Sequence, residues 1–239
     1  MQHDIWIDLS PAELRIEYYT NKLANERLEA FKRRALGIDR NGKCLIDIQN
    51  EVLNIQSSIE DIYVHITEAD LEAVKYLKKQ KYVTVHDWAF GGRQPKCWYL
   101  DRWGVVIQYL RNLGYEVYQV GAKEEDAMPG ATKLLGKLSL NQSVALIKDA
   151  VLHIDNEGTL AHITPWLKVP TIVLYGPTSR NWLHKENVNI EAGDCHECEG
   201  LPGWWRKCPK DRDCECMKLI TPDMVIEKIN FLLNKEENR

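Results

Sequence analysis

Between residues 66 and 175, short β-branched runs alternate with segments of helical period, and no other feature of the chain constrains its fold as strongly. Thr67 to Lys79 has the apolar spacing of a helix, and Tyr82-Val83-Thr84-Val85-His86 is the unbroken run of a strand buried on both faces. Leu100 to Leu113 reads as a helix closed by Gly114, and Tyr115 to Val120 as a second strand ending at Gly121. Leu140 to Ala150 is helical again, and Val151 to Ile154 forms a third strand. Leu160 to Leu167 is a short helix, and Pro170 to Tyr175 a fourth strand running into Gly176-Pro177. Strands separated by helices of about 10–15 residues need crossover connections, which are right-handed and build a parallel sheet. The expected class is therefore α/β, with a Rossmann-like parallel sheet.

The flanks differ from this core. Ser10-Pro11-Ala12-Glu13 has the form of a helix start, with Ser10 as N-cap and Glu13 reaching back to it, and Ile16, Tyr19, Leu23 and Ala30 continue an apolar stripe. Thr221-Pro222-Asp223 opens a last helix whose packed stripe is Val225, Ile229, Leu232 and Leu233. The chain divides on these grounds into a helical or mixed region at 1–65, a Rossmann-like domain at 66–190, a cysteine-rich loop at 191–217 and a terminal helix at 218–239. At 239 residues and 44% hydrophobic content it can bury one substantial core, with no room for two complete α/β domains.

Charge excludes some functions. A net charge of −4 gives no positive field for nucleic acid or an anionic membrane, and acidic residues crowd the cysteine-rich loop. No apolar run approaches the roughly 20 residues that cross a bilayer, and the charged first residues do not form a secretory signal. A cytoplasmic protein without a membrane span is the expectation.

Ligands of open parallel sheets bind beyond the C-terminal strand ends. After the first strand come Gly91-Gly92 and then Lys96-Cys97-Trp98, where a lysine offers a compact charge to a phosphate. After the third come Asp155-Asn156-Glu157-Gly158-Thr159-Leu160-Ala161-His162, a polar loop opening into a helix whose N-terminus suits a pyrophosphate; Asp155 can equally cap that helix. His162 falls one turn inside, where a packing role is the ordinary alternative. The fourth strand delivers Gly176-Pro177-Thr178-Ser179 to the same edge.

In this order the pieces resemble the donor domain of glycosyltransferase family 9, which includes the heptosyltransferases of lipopolysaccharide assembly. Lys96-Cys97-Trp98 matches the family's Lys-x-Trp, and Gly136-Lys137-Leu138-Ser139-Leu140 its Gly-x-x-Ser-Leu. Glu157-Gly158-Thr159-Leu160-Ala161-His162 matches its acid-to-histidine motif, with glutamate for aspartate and the glycine one position earlier. Leu174-Tyr175-Gly176-Pro177-Thr178 matches the following strand end. The resemblance covers residues 66–239. It implies a GT-B type donor domain that binds a nucleotide-diphosphate sugar, often ADP-heptose, for inverting transfer to a glycan or protein without a catalytic divalent metal. By it Lys96 neutralises the diphosphate, Glu157 contacts donor hydroxyls, and Gly158, Thr159 and His162 hold phosphate or sugar. Gly176, Pro177 and Thr178 line the same site, and Glu124 or Glu125 reaches the ribose.

The N-terminal region departs from the family. Its members begin with a strand and glycine-rich loop carrying an aspartate base. Residues 1–60 instead start with a helical pattern, and neither Asp4 nor Asp8 lies in such a loop, so no catalytic residue is assigned. A reduced acceptor domain, or a non-catalytic module completing its cleft with a second copy or a partner chain, is the alternative to a transferase.

Five of the seven cysteines fall between residues 195 and 216. Cys195-x2-Cys198 has the spacing of two ligands on one tetrahedral ion, and Cys208 and Cys216 close the set, with Cys214 as a spare and His196 as a substitute. Structural zinc or iron is favoured over disulfides and free thiols. Autotransporter heptosyltransferases of the same family resemble this region in having a cysteine cluster that holds iron or zinc.

Overall fold

The computed structural model describes residues 64–237 except 89–94, 179, 196–197, 199–200, 202 and 205. The readings made above for residues 1–63, and those for Gly91-Gly92, Ser179 and His196, lie outside the described residues.

Helix α1 (Glu68–Val74) starts at a capping box: the Thr67 hydroxyl accepts from the Asp70 amide, and the Asp70 carboxylate accepts from the Thr67 amide. It tightens into a 3-10 turn at Lys75–Leu77 and leads to β1 (Tyr82–Val85). Then follow α2 (Leu100–Asn112), β2 (Glu116–Gln119), β3 (Thr132–Lys133), α3 (Leu140–Ile147), β4 (Leu152–Asn156), α4 (Thr159–Leu167) and β5 (Thr171–Leu174). A 3-10 turn at Arg180–Trp182, β6 (Val188–Ile190), α5 (Glu215–Lys218) and α6 (Pro222–Glu237) complete the order. The six strands form one sheet, β3-β2-β1-β4-β5-β6, and every pairing is parallel. The order reverses between β1 and β4, so a crevice opens beyond Val85 and Ile154, which are paired in register.

Side-chain alternation splits the core into two layers. Val83, Val85, Ile154, Ile172 and Leu174 face α2 and α6, where they bury Trp98, Trp103, Ile107, Leu110, Val225 and Ile229. Tyr82 and Tyr118 face α1 and α3 with Val74, Leu146 and Ile147. Trp98 and Trp103 meet edge-on at 5.4 Å, and the Trp98 indole donates to the Ile220 carbonyl, tying the loop after β1 to the start of α6.

Within the described residues the expected helices and central strands are present, with three differences. β4 runs on to Asn156, because parallel pairing with β5 (Asp155 to Val173, Asn156 to Leu174) satisfies the backbone of residues that look polar enough for a loop. β3 and β6 are edge strands of two and three residues, too short to show period-2 alternation. The Gly-x-x-Ser-Leu stretch is a turn and a cap: Gly136 has φ +65, and Ser139 and Gln142 form a capping box on α3.

Candidate functional site

Four side chains converge where β1, β4 and β5 end. Glu157 directly follows β4 and is buried, and its Oε1 accepts from His162 Nε2 at 2.9 Å. Its Oε2 accepts from the Lys96 ammonium and, at 2.8 Å, from the Thr178 hydroxyl. Three donors on two oxygens fix the carboxylate in its ionised form. Burial alone would raise the Glu157 pKa, but the Lys96 charge and the His162 hydrogen bond outweigh it and hold the group well below the usual carboxylate range.

The sequence places these groups by simple means. Lys96 lies in the turn after β1, its carbonyl 3.4 Å from the Asn156 amide nitrogen, and Thr178 is carried in by the end of β5. His162 sits one turn into α4, whose N-cap is Gly158. That glycine offers no side-chain cap, and its φ of −169 is extended backbone that any residue adopts. The capping acceptor comes from the strand instead: Asp155 Oδ2 accepts from the Ala161 amide at 3.1 Å. The N-terminus of α4 thus faces the same crevice as Lys96, with a partial positive charge suited to an anion.

A second buried network lies beneath. His86 is held between two carboxylates, with Nδ1 2.8 Å from Asp155 Oδ1 and Nε2 3.4 Å from Glu125 Oε1. Burial would push the His86 pKa down, but Asp155 and Glu125 together raise it to about 10. Asp155 is fully buried, and despite that burial the His86 charge and hydrogen bond, with His153 Nε2 3.5 Å away, keep its pKa lowered. Glu125 also accepts from the Ala122 amide at 2.7 Å. Its carboxylate occupies the space a Cβ at Gly121 would need, and Gly121 has φ +148, so this position two residues past β2 favours glycine on both counts.

The cysteine-rich loop packs against this site from the side. The Cys198 amide donates to the Pro177 carbonyl at 2.6 Å, and the Lys96 ammonium lies 5.6 Å from the centre of the Trp204 ring. Cys195, Cys198 and Cys216 are buried, and Cys208 and Cys214 are half-buried. Burial pushes Cys216 up to about 12 and Cys214 up to about 11. At Cys208 the effect of burial is outweighed by the backbone N–H groups of Cys214, Arg212 and Lys210, which lower its pKa. Asp211, Asp213 and Cys214 have positive φ, folding the backbone around that sulfur. Among the described residues no three His, Cys, Asp or Glu side chains are arranged to hold an ion. Thiols have no mutual attraction that would draw them to the spacing of a shared tetrahedral ion, so the set expected from spacing is gathered in one loop but not closed.

The structure brings together Lys96, Glu157, His162 and Thr178, with Gly158 and Thr159 at the helix start and Gly176 and Pro177 alongside. Glu124 is exposed in the loop after β2, while its neighbour Glu125 turns inward. The His86–Asp155 pair and His184, which touches His162, do not stand out in sequence as site residues. The available signal was His153 and Asp155 two apart in a buried strand, hence on one face, where charge demands a partner.

Residues 44–195, more than half of the chain, match the model of glycosyltransferase family 9 (heptosyltransferase). The chain belongs to that family. Lipooligosaccharide heptosyltransferase 2 of Haemophilus influenzae is 33% identical over 124 residues, covering 52% of this chain and 35% of the relative. Lipopolysaccharide heptosyltransferase 3 of Escherichia coli is 31% identical over 154 residues, covering 58% and 43%. The chain thus spans less than half the length of these curated relatives. Among solved structures, the family 9 glycosyl transferase of Veillonella parvula superposes with TM-score 0.64 at 19% identity, covering 82% of this chain and 62% of that one. The dodecameric iron-containing heptosyltransferase TibC, in complex with ADP-D-beta-D-heptose, superposes with TM-score 0.60 at 20% identity, covering 80% and 53%. These structures share the α/β fold. Among the described residues, no helix of this family 9 chain is long and apolar enough to cross a membrane.

Proposed function

We propose that residues 66–190 bind a nucleotide-diphosphate sugar and that the chain serves inverting, metal-independent transfer of that sugar to a glycan or protein acceptor. The observation that carries this reading is the gathering of Lys96, His162 and Thr178 around the buried Glu157 carboxylate at the N-terminus of α4. A diphosphate there gains from the Lys96 ammonium and the helix dipole, which supply the neutralisation a divalent cation gives elsewhere. As Lys96 turns to the diphosphate, Glu157 gains an oxygen free to accept from a sugar hydroxyl, and His162 donates to phosphate or sugar oxygen in place of Glu157. Gly158, Thr159, Gly176 and Pro177 allow close backbone approach, and Glu124 serves the ribose side. ADP-heptose is the first donor to test, since TibC is described in complex with it and the curated relatives are heptosyltransferases.

Calorimetric titration of the chain with ADP, UDP, GDP and CDP, without divalent metal, tests the site. One diphosphate should bind selectively. His162→Ala should weaken it about tenfold, as expected for one hydrogen bond to a charged group, and Lys96→Ala should weaken it further. Equal affinity of both variants and the parent would sink the assignment. Binding without transfer would favour a donor-binding module that needs a second copy or partner chain for its acceptor side.

For the cysteine loop we propose structural zinc or iron held by Cys195, Cys198, Cys208 and Cys216, with Cys214 as the alternative. Support comes from the donor set, from the backbone N–H groups aimed at the Cys208 sulfur, and from the iron-containing TibC. Elemental analysis of the purified protein should find about one ion per chain, and the Cys195→Ser/Cys198→Ser variant should lose it and melt at lower temperature. An unchanged metal content and melting point would refute the proposal.

A further inference from the structure

His162 makes two hydrogen bonds at opposite ends of its ring. Nε2 lies 2.9 Å from Glu157 Oε1, and Nδ1 lies 3.0 Å from His184 Nε2. The two imidazoles meet edge-on with centroids 5.2 Å apart, and the Trp182 ring stands 5.5 Å from His162. His184 belongs to the turn between the 3-10 segment and β6, and this turn is firmly anchored. The His184 carbonyl accepts from the Asn187 amide at 3.2 Å and from the Asn189 side chain at 2.8 Å. The Asn187 side chain in turn donates at 3.0 Å to the carbonyl of Ala161, the residue before His162. The contact between the two histidines is therefore built into the fold.

We infer that His184 is a positioning residue that anchors the His162 ring from its far side, so that the Nε2–H that Glu157 demands stays aimed at Glu157 and the donor site. The inference rests on the donor-site reading for its consequence but not for its geometry. Proton bookkeeping leads to it. Glu157 is ionised and can only accept, so His162 Nε2 must carry a hydrogen. His162 Nδ1 then has two allowed states, and a neutral His184 matches both. If Nδ1 is bare, it accepts from His184 Nε2–H; if Nδ1 is protonated, it donates to His184 Nε2, and the His184 proton resides on Nδ1. His184 does remain neutral: burial first, and then the proximity of His162, lower its pKa to about 4.

The charged and titratable groups around the pair are few. Glu157 and Lys96 flank His162 on the crevice side, and Lys185 and Glu186 next to His184 are exposed. Among the described residues His184 is the hydrogen-bond partner of His162 Nδ1, so removing it leaves that side of the ring unanchored. The ring could then turn about its χ2 bond and carry Nε2–H out of line with Glu157 and the donor site.

The experiment pairs imidazole 15N–1H correlation spectra with ADP titration for the parent chain, His184→Leu and His184→Gln. In the parent, the His162 Nε2–H should give one sharp, slowly exchanging signal. His184→Leu should broaden or lose that signal and bind ADP about tenfold more weakly, the worth of one charge-assisted hydrogen bond. His184→Gln, whose amide can both donate and accept, should restore the sharp signal and most of the affinity. An unchanged His162 signal in His184→Leu, or His184→Gln behaving like His184→Leu, overturns the inference. If the parent itself does not bind ADP, the donor-site reading fails, while the spectra still decide whether His184 anchors the ring.

Discussion

Glu157→Ala is expected to lower the unfolding free energy by about 3–5 kcal/mol, the usual cost of removing one partner from a buried ion pair. The carboxylate is 6% exposed, and the Lys96 side chain it neutralises is 20% exposed, so the substitution strands a mostly buried ammonium. It also leaves Thr178 and His162 without their shared acceptor. Urea denaturation at pH 7 reads the loss. Lys96→Leu added to Glu157→Leu should recover much of it, because two apolar groups replace two charges. The pH dependence has a definite sign. Glu157 titrates below its ordinary value of 4.5, so its contribution is present above that pH and disappears on acidification. A loss under 1 kcal/mol would mean the cluster is solvated and loosely held. The ion pair makes Lys96→Ala costly as well, so its effect on ADP must be measured where the variant is fully folded.

His86→Leu should be comparably severe, again by about 3–5 kcal/mol, since Asp155 is completely buried and Glu125 nearly so. Both carboxylates would remain, with only backbone donors and His153 to offset them. The natural protein should show the complementary behaviour at alkaline pH. With the folded pKa of His86 raised from 6.5 to about 10, its stabilisation is complete below pH 6.5 and fades as the pH climbs toward 10. Asp155 contributes in the opposite direction, losing its effect below its ordinary value of 3.8. Melting temperature measured from pH 5 to 10 should therefore fall across the alkaline half, and the fall should vanish in His86→Leu. A flat profile in the parent would contradict the charged state of His86.

What sequence reveals follows from how each element earns its conformation. β1, β2, β4 and β5 are readable because central parallel strands must be apolar on both faces, and α2 because Trp103, Val106, Ile107 and Leu110 repeat at helical spacing. β3 and β6 draw their order from neighbours already in the sheet, so their own residues carry little signal. Lys96, Glu157 and His162 are found by motif, since their spacing is local or tied to strand ends. The His86–Asp155–Glu125 network spans three strand ends separated by 39 and 69 positions, and His184 reaches His162 only through a turn held by asparagines. Such partners become visible only once the sheet order is known.

Gly176 and Met217 form a single unit of inheritance. A Cβ at position 176 would overlap the Met217 sulfur and lie 3.5 Å from that of Cys216. A lineage that enlarges residue 176 must therefore move the buried Met217 side chain or replace it, and a chimera that takes its β5 loop from one relative and its cysteine segment from another inherits that crowding. The strand end and the cysteine segment should diverge together among relatives, and recombination breakpoints between residues 176 and 217 should be selected against.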